Sequence, residues 1–174
     1  RIMCSTLSDA LTWKPVSESD QDTTEVLLTE LPADGTAATG ILELACATRV
    51  IASIDHYYHA ELLSRAAQRR QLSQGVVIEV DIGGHRTGVR PGMDAQRLAS
   101  AVIQLPGLQL AGLSADLTAL ENLPAEQRPQ AEQNALSVLR HTRMLIQRSG
   151  AACELVSVLT GRQDSEALRN SVVN

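Results

Sequence analysis

Short apolar runs alternate with amphipathic segments along most of this chain, a pattern typical of strands alternating with helices. The runs are rich in Val, Ile and Leu, and the segments between them repeat their apolar residues at helical spacing. Strands are predicted at residues 1–4, 25–29, 50–54, 76–82, 108–113 and 154–159. Helices are predicted at residues 5–13, 36–48, 58–71, 93–104 and 124–149.

This alternation predicts an α/β protein with a parallel sheet and right-handed crossover connections. Its 174 residues are the length of one domain. Residues 162–174 form a polar tail with one weakly helical piece. Periodicity alone leaves two architectures open, because an open doubly wound sheet and a closed barrel have the same order of elements.

The stretch 76–92 is the best candidate for a functional site. An apolar run gives way to Gly83 and Gly84, then to His85, Arg86 and Thr87, before the next helical pattern begins. Ligands of α/β proteins bind at the carboxyl ends of the parallel strands, which is where such a loop lies.

Two acids, Glu79 and Asp81, interrupt the apolar run that precedes this loop. In a barrel, one of them is expected to face the interior. The alternative is that a cation on a neighbouring strand neutralises the acid. His56 and His59 form an H-x-x-H pair, but no third ligand is evident, so a solvated helix end is preferred to a metal site.

Composition restricts the class of protein. The net charge of −5 gives no support for nucleic-acid binding, which usually needs a basic surface. No apolar run approaches the roughly 18 residues that a membrane span requires. Three widely spaced cysteines without a C-x-x-C pair argue against a disulfide framework, and they predict buried, reduced thiols in a cytoplasmic protein.

The motif E-V-D-x-G-x-x-R-x-G-V, at residues 79–89, resembles the D-threonine aldolase and D-serine dehydratase family. These are fold-type III enzymes dependent on pyridoxal 5′-phosphate (PLP) and related to the alanine racemase N-terminal barrel. The stretches 26–30, 50–56 and 105–113 are similar to other strands of that family, in the same order. The resemblance implies a (β/α)8 TIM-type barrel that is incomplete, with about six strand–helix units over residues 1–174.

The resemblance also implies a cofactor site. In the family, the arginine at the position of Arg86 lies against the PLP ring near its phenolic oxygen, where a guanidinium supplies fixed charge and hydrogen-bond donors. The alternative is an arginine exposed in a loop. His85 is expected either to stack on or hydrogen-bond to the cofactor or to be exposed.

Residues 157–161, S-V-L-T-G, stand where the family has a glycine-rich loop that binds the PLP phosphate. Ser157, Thr160 and Gly161 are retained as candidate phosphate ligands, whereas Val158 and Leu159 replace two glycines. Phosphate binding through the hydroxyls is therefore expected to be weaker.

Other parts of the family's site have no counterpart in this sequence. Residues 114–118 lack the family's Tyr-(Asp/Glu)-Gly-His segment. The family's PLP-binding lysine lies on a strand upstream of this chain. Lys14, the only lysine, lies in a polar loop and is not assigned that role. No catalytic residue is therefore assigned, and a divalent metal is expected only in a longer protein that carries the family's C-terminal β-domain.

The resemblance implies a fragment of a PLP-dependent lyase or dehydratase that acts on a small-molecule D-amino acid, and it leaves room for a homodimer. The alternative is a non-catalytic or decayed homologue that serves as a scaffold for PLP or another phosphorylated ligand. An incomplete barrel has two unpaired strand edges, so the chain is expected to self-associate.

Overall fold

The computed structural model of the protein describes residues 2–12 and 25–160. Over these residues, strands and helices alternate as the sequence predicts. The elements are β1 (Ile2–Cys4), α1 (Leu7–Thr12), β2 (Glu25–Leu28), α2 (Gly35–Ala45), β3 (Arg49–Ile54), α3 (Tyr57–Arg70), β4 (Gln74–Glu79), α4 (Met93–Val102), β5 (Leu108–Asp116), α5 (Arg128–Arg148) and β6 (Leu155–Leu159). A 3₁₀ helix, Thr118–Asn122, connects β5 to α5.

All six strands are parallel and neighbour one another in chain order, from β1 to β6. A doubly wound sheet reverses its strand order at a switch point, and this sheet has no such reversal. The sheet curls into part of a (β/α)8 TIM-type barrel, which confirms the predicted fold class. Within the described residues, β1 and β6 each pair with one neighbour only.

The two faces of the sheet bury different sets of residues. The outer face packs against the helices and holds most of the core, where Val26, Ala52 and Ile78 are fully buried. The opposite, inner face carries a smaller apolar cluster of Leu27, Ile51 and Val77, against which Met3, Ala111 and Leu155 pack. This alternation follows from the two-residue period of side chains along a strand.

Several predicted boundaries differ from the structure. The strand predicted at 76–82 ends at Glu79, because the side chain of Asp81 already accepts hydrogen bonds from the turn that follows. The strand predicted at 108–113 continues to Asp116, and the 3₁₀ helix follows it. The long helix begins at Arg128, so that Pro129 lies in its first turn, where no hydrogen-bond donor is needed.

The cysteine prediction is correct for two residues of three. Cys4 and Cys153 are buried, but Cys46 is exposed just after α2. Among the described helices, none has both the length and the apolar content needed to cross a membrane. The predicted helical piece within 162–174 lies outside the described residues.

Candidate functional site

A cavity of about 340 Å³ lies on the inner face, at the carboxyl ends of the strands. Its lining residues come from four strands, from the residue that follows β2 and from the loop after β4. They are Met3, Thr29, Glu79, Arg86, Thr87, Ser114, Ala115, Asp116 and Leu159. Two larger hollows, of about 670 and 600 Å³, open around the amino ends of the strands. In α/β barrels the amino-end face contributes to stability whereas ligands bind at the carboxyl end, so the smaller cavity is the candidate site.

The loop after β4 begins with a turn organised by Asp81. Its Oδ1 accepts hydrogen bonds from the backbone N–H groups of Gly83 (2.9 Å) and His85 (3.0 Å), and its Oδ2 lies 3.0 Å from Nδ1 of His85. Burial alone would raise the pKa of Asp81. The hydrogen bonds from His85 and Gly83 outweigh this, and the pKa lies below its ordinary value. Asp81 is therefore a fixed anion that holds the turn together.

The loop ends where Val89 pairs with the residues that follow β4. Val89 donates to the carbonyl of Glu79 and accepts from the N–H of Asp81, both at 2.9 Å. The preceding residue, Gly88, has φ +101°, and a Cβ there would lie 2.5 Å from the backbone nitrogen of Asp81. Only glycine allows the chain to pass so close to the strand it has just left.

Between these two anchors, Arg86 and Thr87 reach into the cavity. Arg86 forms an ion pair with Asp116 at the end of β5. The other carboxylate oxygen of Asp116 accepts from the backbone N–H (2.8 Å) and the hydroxyl (2.6 Å) of Thr118. The hydroxyl of Thr87 donates to Oε1 of Glu79 at 2.5 Å. The loop thus presents one cation over a cavity that also contains two acids.

Glu79 is the buried acid of this site, with 8% of its surface exposed. Burial raises its pKa, and the hydrogen bond from Thr87 acts against that shift. The negative charges of Asp55 and Asp116 raise the pKa further, whereas Arg86 lowers it. The net effect is a raised pKa, because desolvation and two like charges outweigh one hydrogen bond and one exposed cation.

Ser53, Ser114 and Ser157 lie on the inner face, on β3, β5 and β6. Ser114 is in register with Glu79 on one side and with Ser157 on the other. The hydroxyls of Ser53 and Ser114 are buried, and neither has a hydrogen-bond partner within the described part of the chain. A buried polar atom without a partner is costly, and such atoms are often satisfied by a ligand or water.

The structure brings some of the predicted site residues together. Arg86 lines the cavity, and Ser157 lies on the inner face beside Ser114. Thr160 directly follows β6, and Gly161 lies outside the described residues. The side chain of His85 turns toward Asp81 and is 83% exposed, so it does not line the cavity.

Sequence reasoning missed Thr87, Ser114 and Asp116 as lining residues. The alternation of Ser114, Ala115 and Asp116 after an apolar run indicates that β5 continues with polar residues on one face.

The histidines of the H-x-x-H pair have separate partners. The ring of His56 caps α3 by accepting a hydrogen bond from the N–H of Tyr58, and the ring of His59 lies 2.9 Å from Asp55. The described residues contain no group of three metal-ligating side chains.

Comparison with known proteins gives matches that agree on one family. The sequence profile described as alanine racemase, N-terminal domain, matches residues 2–160. D-threonine aldolase of an Arthrobacter species is 26% identical over 116 residues, which cover 66% of this chain and 31% of that protein. This chain therefore spans about a third of that relative.

Solved structures agree with these sequence matches. The crystal structure of D-threonine aldolase from Filomicrobium marinum matches with a TM-score of 0.84 and 27% identity, over 97% of this chain and 45% of that one. Alanine racemase from Streptomyces coelicolor matches with a TM-score of 0.69 and 20% identity, over 90% of this chain and 39% of that one; it supports the fold alone. Because the profile covers nearly all the described residues, this chain belongs to the alanine racemase N-terminal domain family of fold-type III PLP-dependent enzymes, which includes D-threonine aldolases.

Proposed function

We propose that this chain is the PLP-binding part of a longer D-amino-acid lyase or dehydratase, of the D-threonine aldolase or D-serine dehydratase type. The observation that carries the proposal is the cavity at the carboxyl ends of the strands, with Arg86 held over it by Asp116. When bound, PLP supplies an electron sink that stabilises negative charge at the Cα of an amino acid.

The residues of the cavity suit the ring of such a cofactor. Its volume of about 340 Å³ falls within the range of roughly 300–1,000 Å³ that is typical of small-molecule and cofactor sites. Arg86 offers a guanidinium to an anionic oxygen, and its pairing with Asp116 fixes the direction of that guanidinium. The buried hydroxyl of Ser114 has no partner among the described residues and is available to a polar ligand atom.

The phosphate end has fewer ligands. Val158 and Leu159 belong to β6 and pair with β5, so their backbone N–H groups lie in the plane of the sheet and do not converge on an anion. Binding would then depend on the hydroxyls of Ser157 and Thr160, together with Gly161. This supports a phosphate site that is weaker than a glycine-rich loop.

The other residues have roles around the ligand. Glu79, buried and with a raised pKa, can hold a proton at its carboxyl group on the wall of the cavity. Thr87 fixes the carboxyl group of Glu79 through its hydrogen bond. Asp81 holds the turn that carries His85 away from the cavity, so a direct cofactor contact by His85 requires the turn to reorganise.

The remaining parts of the proposal concern the whole protein. Its substrate is a small D-amino acid, its location is the cytoplasm and its assembly is a homodimer. The lysine that attaches PLP and the residues that bind a divalent metal lie in parts of the longer protein outside these 174 residues.

A second candidate function is a non-catalytic homologue that binds PLP or another phosphorylated ligand. The observation that favours it is the continuation of β6 through Leu159, where the family has a loop. The coding DNA on both sides of this segment separates the two candidates. An upstream strand that ends in lysine supports the lyase, whereas a start codon and a stop codon that bracket these residues support the non-catalytic homologue.

Both candidates require that the chain binds PLP, so a measurement of PLP binding distinguishes them from a protein of this fold that has no PLP site. Lys14→Arg removes the only lysine, so that PLP cannot attach there nonspecifically, and equilibrium dialysis then measures binding to this chain. Arg86→Ala in this background should lower the affinity by about tenfold to a hundredfold. Arg97→Ala, which removes an exposed arginine of α4, is the matched control and should change nothing. If both variants have equal affinity, the proposed role of Arg86 is wrong.

A further inference from the structure

We infer that Asp55 is a positioning residue that holds the loop after β4 so that Arg86 and Thr87 face the cavity. Asp55 is the first residue after β3, and no sequence motif singles it out. Its side chain is 16% exposed, and its two carboxylate oxygens contact two different elements. The inference rests on the proposed function for the identity of the ligand, PLP. The positioning of the loop by Asp55 does not depend on that function.

The first contact is with the loop itself. Oδ2 of Asp55 accepts a hydrogen bond from the backbone N–H of Gly88 at 2.9 Å. A bond from a backbone amide to a carboxylate is charge-assisted and therefore stronger than one between neutral groups. Gly88 follows Thr87 directly, so a fixed Gly88 limits the positions that Thr87 and Arg86 reach.

The second contact is with the helix that follows Asp55. Its Oδ1 lies 2.9 Å from Nδ1 of His59, in the first turn of α3. The ring of His59 lies near the rings of His56 and Tyr58, with centroids 6.2 and 6.3 Å away. Asp55 therefore lies between the first turn of α3 and a loop that lies over the next strand.

The rest of the loop shows why this contact matters. Asp81 organises the beginning of the loop, and the pairing of Val80 with Val89 fixes its end. Both of these contacts come from β4 and its own continuation. Asp55 makes the contact from a neighbouring strand, and it acts next to the two residues that reach the cavity.

Glycine at position 88 also makes the contact specific. The backbone there has φ +101°, and a Cβ on this residue would clash with the backbone of Asp81. The direction of the Gly88 N–H group is therefore set by a conformation that other residues rarely adopt. When the bond from Asp55 is removed, this residue can relax away from that conformation. Arg86 and Thr87 would then leave their partners Asp116 and Glu79.

The test compares three variants of the full 174-residue chain. Asp55→Ala removes both contacts, whereas Asp55→Asn keeps an oxygen that can accept from the N–H of Gly88. The matched control is Asp34→Ala, because Asp34 likewise accepts from backbone N–H groups, those of Thr36 and Ala37, but does so at the start of α2. Amide hydrogen exchange is measured for residues 84–88, and PLP affinity is measured by equilibrium dialysis.

We expect exchange at residues 84–88 to rise about tenfold in Asp55→Ala, to stay near wild type in Asp55→Asn, and to be unchanged in Asp34→Ala. We expect PLP affinity to follow the same order, with a loss of about tenfold in Asp55→Ala and rescue in Asp55→Asn. Unchanged exchange in Asp55→Ala overturns the inference, as does increased exchange with unchanged PLP affinity. If the wild-type chain binds no PLP, the proposed function fails, while the exchange result still decides whether Asp55 positions the loop.

Discussion

The hydroxyl of Thr87 donates a 2.5 Å hydrogen bond to Oε1 of Glu79, so the loop after β4 binds back onto the inner face of the strand that it follows. Thr87 and Glu79 both line the cavity, and Glu79 is the more deeply buried of the two. Burial raises the pKa of Glu79, and the hydrogen bond from Thr87 opposes that shift only in part. This arrangement makes the stability of the chain depend on pH in a defined direction.

Glu79→Gln is expected to abolish part of that pH dependence. Burial raises the pKa of Glu79 above its ordinary 4.5, so the folded chain keeps a proton that the unfolded chain releases. The stability that this group contributes is therefore fully present below the unfolded pKa and is lost as pH rises through the folded pKa. Glutamine has no proton to release, so its advantage over wild type should grow as pH rises. Urea unfolding from about pH 5 to pH 8 measures this, and two parallel stability curves would contradict it.

Gly88→Ala is expected to lower the free energy of unfolding by about 3 kcal/mol or more, because it adds a clash to a strained backbone. The new Cβ would lie 2.5 Å from the nitrogen of Asp81. Gly83→Ala is the matched control, since Gly83 also has a positive φ, +115°, but has open space around its Cβ position. Gly83→Ala should lower the free energy of unfolding by only about 1–2 kcal/mol. Equal losses in denaturant titrations would show that the close approach at Gly88 does not exist.

Ser114→Ala should separate stability from ligand binding. Its buried hydroxyl has no partner within the described residues, so its removal is expected to raise the free energy of unfolding by about 1 kcal/mol. Ser64→Ala is the comparison, because it removes a buried hydroxyl that donates to the carbonyl of Pro106 at 2.7 Å. This variant should instead lower the free energy of unfolding by about 1 kcal/mol.

The same Ser114→Ala variant should bind PLP more weakly, because the hydroxyl is expected to contact a polar atom of the ligand. Thermal or urea unfolding gives the first effect and equilibrium dialysis gives the second. A variant that is less stable than wild type and binds PLP normally would contradict both expectations.

The isolated chain is expected to self-associate. Within the described residues, β1 and β6 pair on one side only, and the apolar Met3, Ala111 and Leu155 of the inner face are only partly buried. Unpaired parallel edges invite pairing with another chain. Analytical ultracentrifugation should show assemblies that grow with concentration. A monodisperse monomer with a cooperative melting transition would contradict this prediction.

Sequence patterns predicted the order of elements well because each strand is a short apolar run between helical repeats. The choice between a barrel and a doubly wound sheet could not come from these patterns, since it depends on which strands pair. The family resemblance favoured the barrel, and the strand order confirms it. Boundaries failed where side chains decided them, as at Asp81, whose carboxylate ends β4 by capping the turn.

The site was predicted less completely than the fold. The motif led to Arg86, because the loop after a buried strand is the usual place for a ligand. It did not lead to Asp55 or Asp116, because these residues contact the loop from the strands on either side of β4 and are distant from it in sequence. It left open whether His85 contacts the cofactor or is exposed, since that depends on the local hydrogen bonding between His85 and Asp81.

Amide hydrogen exchange with and without saturating PLP tests most directly the claim that the inner face binds PLP at the carboxyl ends of the strands. We expect slower exchange at residues 84–88 and 155–160, and no change at residues 45–50, which line a hollow at the amino ends of the strands. Protection confined to the amino ends, or no protection anywhere while PLP is bound, would contradict the claim.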